Sequence, residues 1–201
     1  MQPLRTRMRA ATARDILASA EVVLAEKGMN ASVAAIARHA GVAVGTIYNH
    51  FKDRDALLKA LVAARRRDLA EGIAAAARAT EGCPFAEQLA AFVEGALAVF
   101  DRHRAFVRIA LEGDSALPRN VGRAAGAPAS ALQQFVARAT ELVALGQAEG
   151  ALRAGAEDFL AAGLAALVRG VLFYGLDRGG FAAHAPAVVA LFLDGARTAT
   201  P

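Results

Sequence analysis

One cysteine, no tryptophan, two tyrosines and six prolines stand among the 201 residues. The single thiol, Cys83, excludes a disulfide within one chain and any cysteine-based zinc cluster. A catalytic thiol needs an activating partner, and none is evident; a small residue just before Pro84 reads as a loop or helix-start position. Signatures of turnover are missing as well. His39, His50, His103 and His184 are scattered, with no HExxH, no GxSxG, no phosphate loop and no paired carboxylates in a pocket motif. No stretch alternates or strings β-branched residues as a sheet requires. An all-α chain is expected, without metal or cofactor, and an enzyme is the weakest reading of it.

A long hydrophobic run is also absent. The longest apolar stretch, FLAAGLAALVRGVLFYGL (159–176), carries Arg169 mid-span, and its alanines and glycines keep it mild. It reads as a buried helix rather than a membrane span, so no membrane partner is expected. The N-terminus is basic, but Asp15, Glu21 and Glu26 keep an apolar core from forming after it. With no signal peptide in view, the cytoplasm is the expected compartment.

What is present is apolar area and unevenly placed charge. The hydrophobic fraction is 56% and the mean hydropathy +0.34, so apolar surface must be covered by a core or by a partner. Residues 1–67 hold twelve Lys/Arg against five acids, a net charge of +7, while residues 68–201 carry −3. A basic N-terminal third on a mildly acidic remainder suggests a polyanion-binding module joined to something else.

Helical periodicity runs through nearly the whole chain. Apolar residues at 16, 17, 20, 23 and 24 give a first amphipathic helix over about 12–27, ended by Gly28. Ser32 can cap a short second helix whose inward residues are Val33, Ile36, Ala37 and Ala40. Gly41 breaks it, and a third helix from about Val44 turns Ile47 and Phe51 inward. Asp53 can cap a long fourth helix to about Thr80. Further helices are expected over about 85–102, 105–113, 129–149, 157–177 and 186–198, with a Gly/Pro/Ser-rich loop at 113–130. The expected architecture is about nine helices in two parts, residues 1–52 and 53–201.

Short second and third helices separated by AGV describe a helix-turn-helix. Gly41 tolerates the positive φ of the turn, and Val42 holds the two helices together. With Ile47 and Phe51 inward, Gly45, Thr46, Tyr48, Asn49 and Lys52 face outward. A polar, aromatic and positively flanked face suits a helix entering the DNA major groove. Asn49 is the best direct reader there, since its amide can pair bidentately with adenine. The arm ahead of it, with Arg5, Arg7, Arg9 and Arg14, reads either as an arm that follows a minor groove or binds backbone phosphates, or as a disordered solubilising tail.

ARDILASAEVVLAEKG followed by SVAAIARHAGVAVGTIYNHFKDRDALL resembles the DNA-binding domain of the TetR/AcrR family of bacterial transcriptional regulators. The likeness covers residues 13–58 closely and the remainder only in length and in the closing VVALFLDGA. It implies a homodimer whose N-terminal helix-turn-helix domains bind a palindromic double-stranded DNA operator and whose helical C-terminal domains hold a small organic effector. Thr46, Tyr48 and His50 match positions that commonly touch phosphates or base edges, and Lys52 and Arg54 match a basic pair, with Arg54 where Lys is usual. Ala43 stands where Ser or Thr often caps the recognition helix, and Val44 where a polar or basic residue often reaches DNA. Ser32 completes the candidate DNA-binding set of Val44, Gly45, Thr46, Tyr48, Asn49, His50, Lys52 and Arg54.

The larger part offers two further candidate surfaces. Phe92, Phe100, Phe106 and Phe135, with polar His103, Arg108 and Glu112, are candidates to line a pocket for a hydrophobic or amphipathic effector. The same residue types also make ordinary cores, and sequence does not separate the uses. Phe159, Gly163, Ala166, Gly170 and Phe173 form a seam with small residues at its centre, which lets helices approach closely. With Val188 and Phe192 of the last helix they are the candidate dimer interface. The expected function is a repressor released from its operator by ligand. The rival is a DNA-binding architectural or protein-recruited regulator without an effector.

Overall fold

The computed structural model describes residues 4–112, 131–178 and 180–196. Among these residues every regular element is helical: α1 Leu4–Lys27, α2 Val33–Ala40, α3 Val44–His50, α4 Arg54–Arg78, α5 Phe85–Arg102, α6 Arg104–Glu112, α7 Ala131–Ala148, α8 Glu157–Gly175 and α9 Ala185–Ala196, with a 3-10 turn at Ala182–His184. The loop expected at 113–130 lies outside the described residues. The bounds agree closely with the expected ones except at the start. There α1 begins at Leu4, so the described part of the basic arm is helical and not a disordered tail. Its residues, LRTRMRAAT, include strong helix formers and contain neither glycine nor proline.

The chain divides into two compact units. The first takes in residues 4–65 with 105–112, the second 66–104 with 131–178 and 180–196. The division expected at 52/53 thus moves into α4. Its cause is packing: Leu57, Leu58 and Leu61 of α4, and Ile109 of α6, are buried with Ile16, Ile36, Ile47 and Phe51 in one core.

A buried carboxylate organises this first unit. Glu21 of α1 accepts a hydrogen bond from Arg65 Nε at 2.5 Å and another from the Phe106 N–H at 3.1 Å. One side chain therefore joins α1 to α4 and supplies an acceptor to the first turn of α6, where the helix itself offers none.

The second unit packs α5 among α7, α8 and α9. Phe92 and Phe135 stack at its centre with ring centroids 4.9 Å apart. Gln88, buried on α5, donates to the Cys83 carbonyl and accepts from Arg138 of α7 at 2.6 Å. Cys83 itself is a free thiol in the turn before α5. At the corner between α8 and α9, Asp101 accepts from the N–H groups of Phe181 and Ala182 at 2.7 and 2.8 Å. Arg104 donates to the carbonyls of Gly175 and Leu176 and lies over the Phe181 ring. The pair ties the end of α8 and the start of the 3-10 turn before α9 to the C-terminal end of α5 and the residues just after it.

Helix α8 is buried on one side only. Leu160, Leu164, Val168 and Leu172 face the core, but the opposite face is open. By length and composition alone, α8 is the one described helix apolar enough to cross a membrane.

Candidate nucleic-acid interface

Local chemistry sets each boundary around α3. Ser32 sits at φ −77°, ψ 152°, and its hydroxyl accepts from the Ala35 N–H at 3.2 Å, which starts α2. It thereby caps α2, and its own O–H can still donate to another group. Gly41 ends α2 in the left-handed region at φ 66°, which L-residues with a Cβ rarely adopt. The Val42 N–H then reaches back to the Ala37 carbonyl at 3.0 Å, the 6→1 bond of a Schellman ending. Ala43 begins α3 in extended conformation with no side-chain cap, as its methyl dictates. Asp53 caps α4 through Oδ1 and the Ala56 N–H at 2.7 Å.

Ile47 and Phe51 are buried and fix the rotation of α3. Gly45 and Asn49 consequently point away from the domain, with Tyr48 and Thr46 to either side. Tyr48 is 49% exposed and Val44 39%, one turn apart on the same row. Asn49 and Lys52 are exposed; Thr46 and His50 are half-buried. A Cβ built on Gly45 meets nothing within 4 Å, so the helix start presents bare backbone to whatever approaches. One surface thus gathers Val44, Gly45, Thr46, Tyr48, Asn49 and His50, with Lys52 just beyond.

Arg54 is engaged differently. It is half-buried, and its guanidinium donates to the Met29 carbonyl in the α1–α2 connection. Arg9, in the helical extension of α1, donates to the Asn49 carbonyl at 3.1 Å. The charge of Arg9 was visible in the sequence, but nothing there pairs it with a carbonyl forty residues on. Glu21 was more legible: it stands four residues after Leu17 and three before Leu24, on the buried stripe.

The effector candidates do not form one described group. Phe92 and Phe135 are buried core residues of the second unit, and Phe100 and His103 are half-buried there. Phe106 and Arg108 belong to the first unit, and the side chain of Glu112 lies outside the described ones. An open groove of about 530 Å³ lies elsewhere, along α5, the 3-10 turn and α9, lined by Ala90, Glu94, Ala182, Pro186, Val189 and Leu193 among others.

The interface candidates divide in two. Phe159 (73% exposed), Gly163, Ala166, Gly170 and Phe173 (50%) all lie on the open face of α8. Val188 and Phe192, in contrast, are buried in the core of their own chain. The stripe 185, 188, 192 and 196 is the inward one of α9, so Leu191, 62% exposed, takes their place on the outer face. No cluster of three or more His, Cys, Asp or Glu able to hold a metal occurs among the described residues.

Comparison with known proteins agrees with this geometry. The family described as "Bacterial regulatory proteins, tetR family" matches residues 16–61. HTH-type transcriptional regulator BetI of Cronobacter sakazakii (strain ATCC BAA-894) is 34% identical over 96 residues. That match spans 47% of this chain and 44% of the relative, less than half of either. A transcriptional regulator of the TetR family from Agrobacterium tumefaciens superposes with a TM-score of 0.69 at 25% identity, covering 94% of this chain and 100% of that one. Transcriptional regulator FadR from Bacillus subtilis, solved in complex with stearoyl-CoA, gives 0.66 at 20% identity over 90% and 98% of the two chains. The N-terminal domain, over residues 16–61, thus matches the tetR family of bacterial regulatory proteins, and the all-helical fold resembles that of a solved regulator of that family.

Proposed function

We propose that the protein is a homodimeric transcription regulator, a repressor that binds a palindromic operator through α3 and leaves it when a hydrophobic or amphipathic organic molecule binds the second unit. The observation that carries this reading is the outer face of α3. Bare backbone at Gly45, an amide at Asn49 and an exposed phenol at Tyr48 stand on one helix, held rigidly by Ile47 and Phe51 behind it. Such a face reads base edges through its polar groups and meets phosphates at its flanks. Lys52 and the net charge of +7 over residues 1–67 supply the phosphate attraction.

Regulation arises from two-fold geometry. Two copies of α3 read two half-sites only when they lie about 34–36 Å apart, or a multiple of that. A ligand that favours a conformation with another separation lowers operator affinity by the difference in its affinity for the two states. The stearoyl-CoA bound by Bacillus subtilis FadR, a protein of the same fold, supports an amphipathic effector class.

Footprinting against DNA neighbouring the protein's own gene tests the reading, with a two-fold protected segment as the expected result. The Tyr48→Ala, His50→Ala double variant, shown folded by circular dichroism, is expected to lose that protection. Undiminished affinity in the double variant rejects the α3 assignment.

A further inference from the structure

We infer that Arg9 and Arg54 are positioning residues of the helix-turn-helix, Arg9 holding a carbonyl in the last turn of α3 and Arg54 one in the α1–α2 connection, rather than a DNA phosphate. The inference rests on the DNA-binding reading of α3 and adds to it how that helix is kept in place. Arg9 donates to the Asn49 carbonyl at 3.1 Å, and Arg54 donates to the Met29 carbonyl. One contact meets the last turn of α3, the other the connection that precedes α2.

The chemistry at the Asn49 end is specific. Helix α3 has only seven residues, and its C-terminal carbonyls point beyond the helix. The Ile47 carbonyl is met by the Phe51 N–H at 2.8 Å. The Asn49 carbonyl receives the Arg9 guanidinium instead, and a cation at a helix C-terminus also complements its partial negative charge. Asn49 is the residue whose side chain faces outward as a base reader, so Arg9 fixes the backbone of the reader itself. That is the use the structure gives to an N-terminal extension that is helical from Leu4.

Arg54 acts on the segment ahead of α2. Met29 comes after Gly28, which turns the chain at φ 78° between α1 and α2. A guanidinium at the start of α4 thereby anchors the connection that leads into the Ser32 cap of α2. Planar Arg reaches such a carbonyl with several N–H groups, whereas Lys presents a point charge on a flexible stem.

The test compares Arg9→Gln, Arg54→Gln and Arg54→Lys with the unaltered protein on two duplexes of equal length, the footprinted fragment and a shuffled control, over a range of salt. The clamps predict a loss of roughly tenfold on the fragment for each Gln variant, with little change on the control and an unchanged salt slope. Hydrogen exchange should quicken at residues 44–52 in Arg9→Gln and at 28–35 in Arg54→Gln, and Arg54→Lys should restore part of the preference. A slope shallower by about 0.9 per substitution, with equal losses on both duplexes, marks phosphate contacts and overturns the inference. Unchanged exchange overturns it too, as does a lowered Tm with no change in preference between duplexes. Unaltered protein that shows no preference for the fragment overturns the DNA reading and the inference with it. Failure of the clamps alone is distinguishable, because unaltered protein then keeps its preference.

Discussion

At Glu21 a carboxylate is nearly enclosed by α1, α4 and α6, and its oxygens meet the Arg65 Nε and the Phe106 N–H. Burying a charge is costly unless partners replace the water it loses, and here both an opposite charge and a backbone donor do so. The two bonds respond differently to substitution. Glu21→Ala deprives the Phe106 N–H of its acceptor and breaks the ion pair, and is expected to destabilise the first unit by about 3 kcal/mol. Glu21→Gln keeps an oxygen for the N–H while losing the charge, and should cost about 1–2 kcal/mol. Urea unfolding of the two variants measures both; equal losses, or none, would mean that Glu21 does not join the three helices as described. The side chain is a positional exception within its helix. Its neighbours on that stripe, from Leu17 to Leu24, are apolar or small, which is why a charge there signals a specific partner.

Among the elements, helix ends differ in how they are finished. Ser32 and Asp53 cap α2 and α4 within three residues of themselves, and such caps are legible because donor and acceptor are neighbours in sequence. Other N-terminal N–H groups are satisfied from far away. Glu149 meets the Phe85 N–H across 64 residues, Asp101 the Phe181 N–H across 80, and Glu21 the Phe106 N–H across 85. No local pattern reveals these, since each needs the tertiary fold to bring its carboxylate to the helix end. The same distinction explains the rest of what sequence held and withheld. The 3.6-residue period located the helices and put Ile47 and Phe51 inward, because burial imposes that period directly. It did not separate the inward from the outward stripe of α9, where Val188, Leu191 and Phe192 are all apolar. It also gave no reason for α1 to continue back to Leu4, since that stretch is exposed throughout its first turns. Helix α3 begins without a side-chain N-cap. Ala43 already has the extended φ −69°, ψ 149° that a capping residue adopts, so Ala43→Ser requires no backbone change. The substitution is expected to stabilise the domain by about 1 kcal/mol and to slow hydrogen exchange in the first turn of α3. Thermal unfolding with exchange mass spectrometry reads both, and an unaltered or lower Tm would show that the first turn is constrained by something other than its missing cap.

For the molecule as a whole, the deciding feature is apolar area left uncovered. Phe159, Phe173 and Tyr174 on α8 and Leu191 on α9 are all at least half exposed. Gly163, Ala166 and Gly170 run between the α8 aromatics, and Cβ atoms added to the two glycines would meet nothing in this chain. Exposed apolar residues along one helix face mark an interaction surface, and small residues among them allow a second helix to come close. Self-association through a two-fold axis uses such a patch twice, so one substitution alters the interface at two places. Phe173→Glu places a carboxylate on each side of it while, in the isolated chain, exchanging one half-exposed side chain for another that solvent accepts. The variant should therefore keep its helicity yet sediment as a monomer at concentrations where the unaltered protein is expected to form the proposed dimer. Its footprint should vanish with it, because a monomer carries one α3 and engages a single half-site, losing the combined affinity of two. Analytical ultracentrifugation beside footprinting separates the possibilities. A monomeric variant that still protects both half-sites would reject the dependence of operator reading on this face. A variant that remains dimeric would move the interface away from α8.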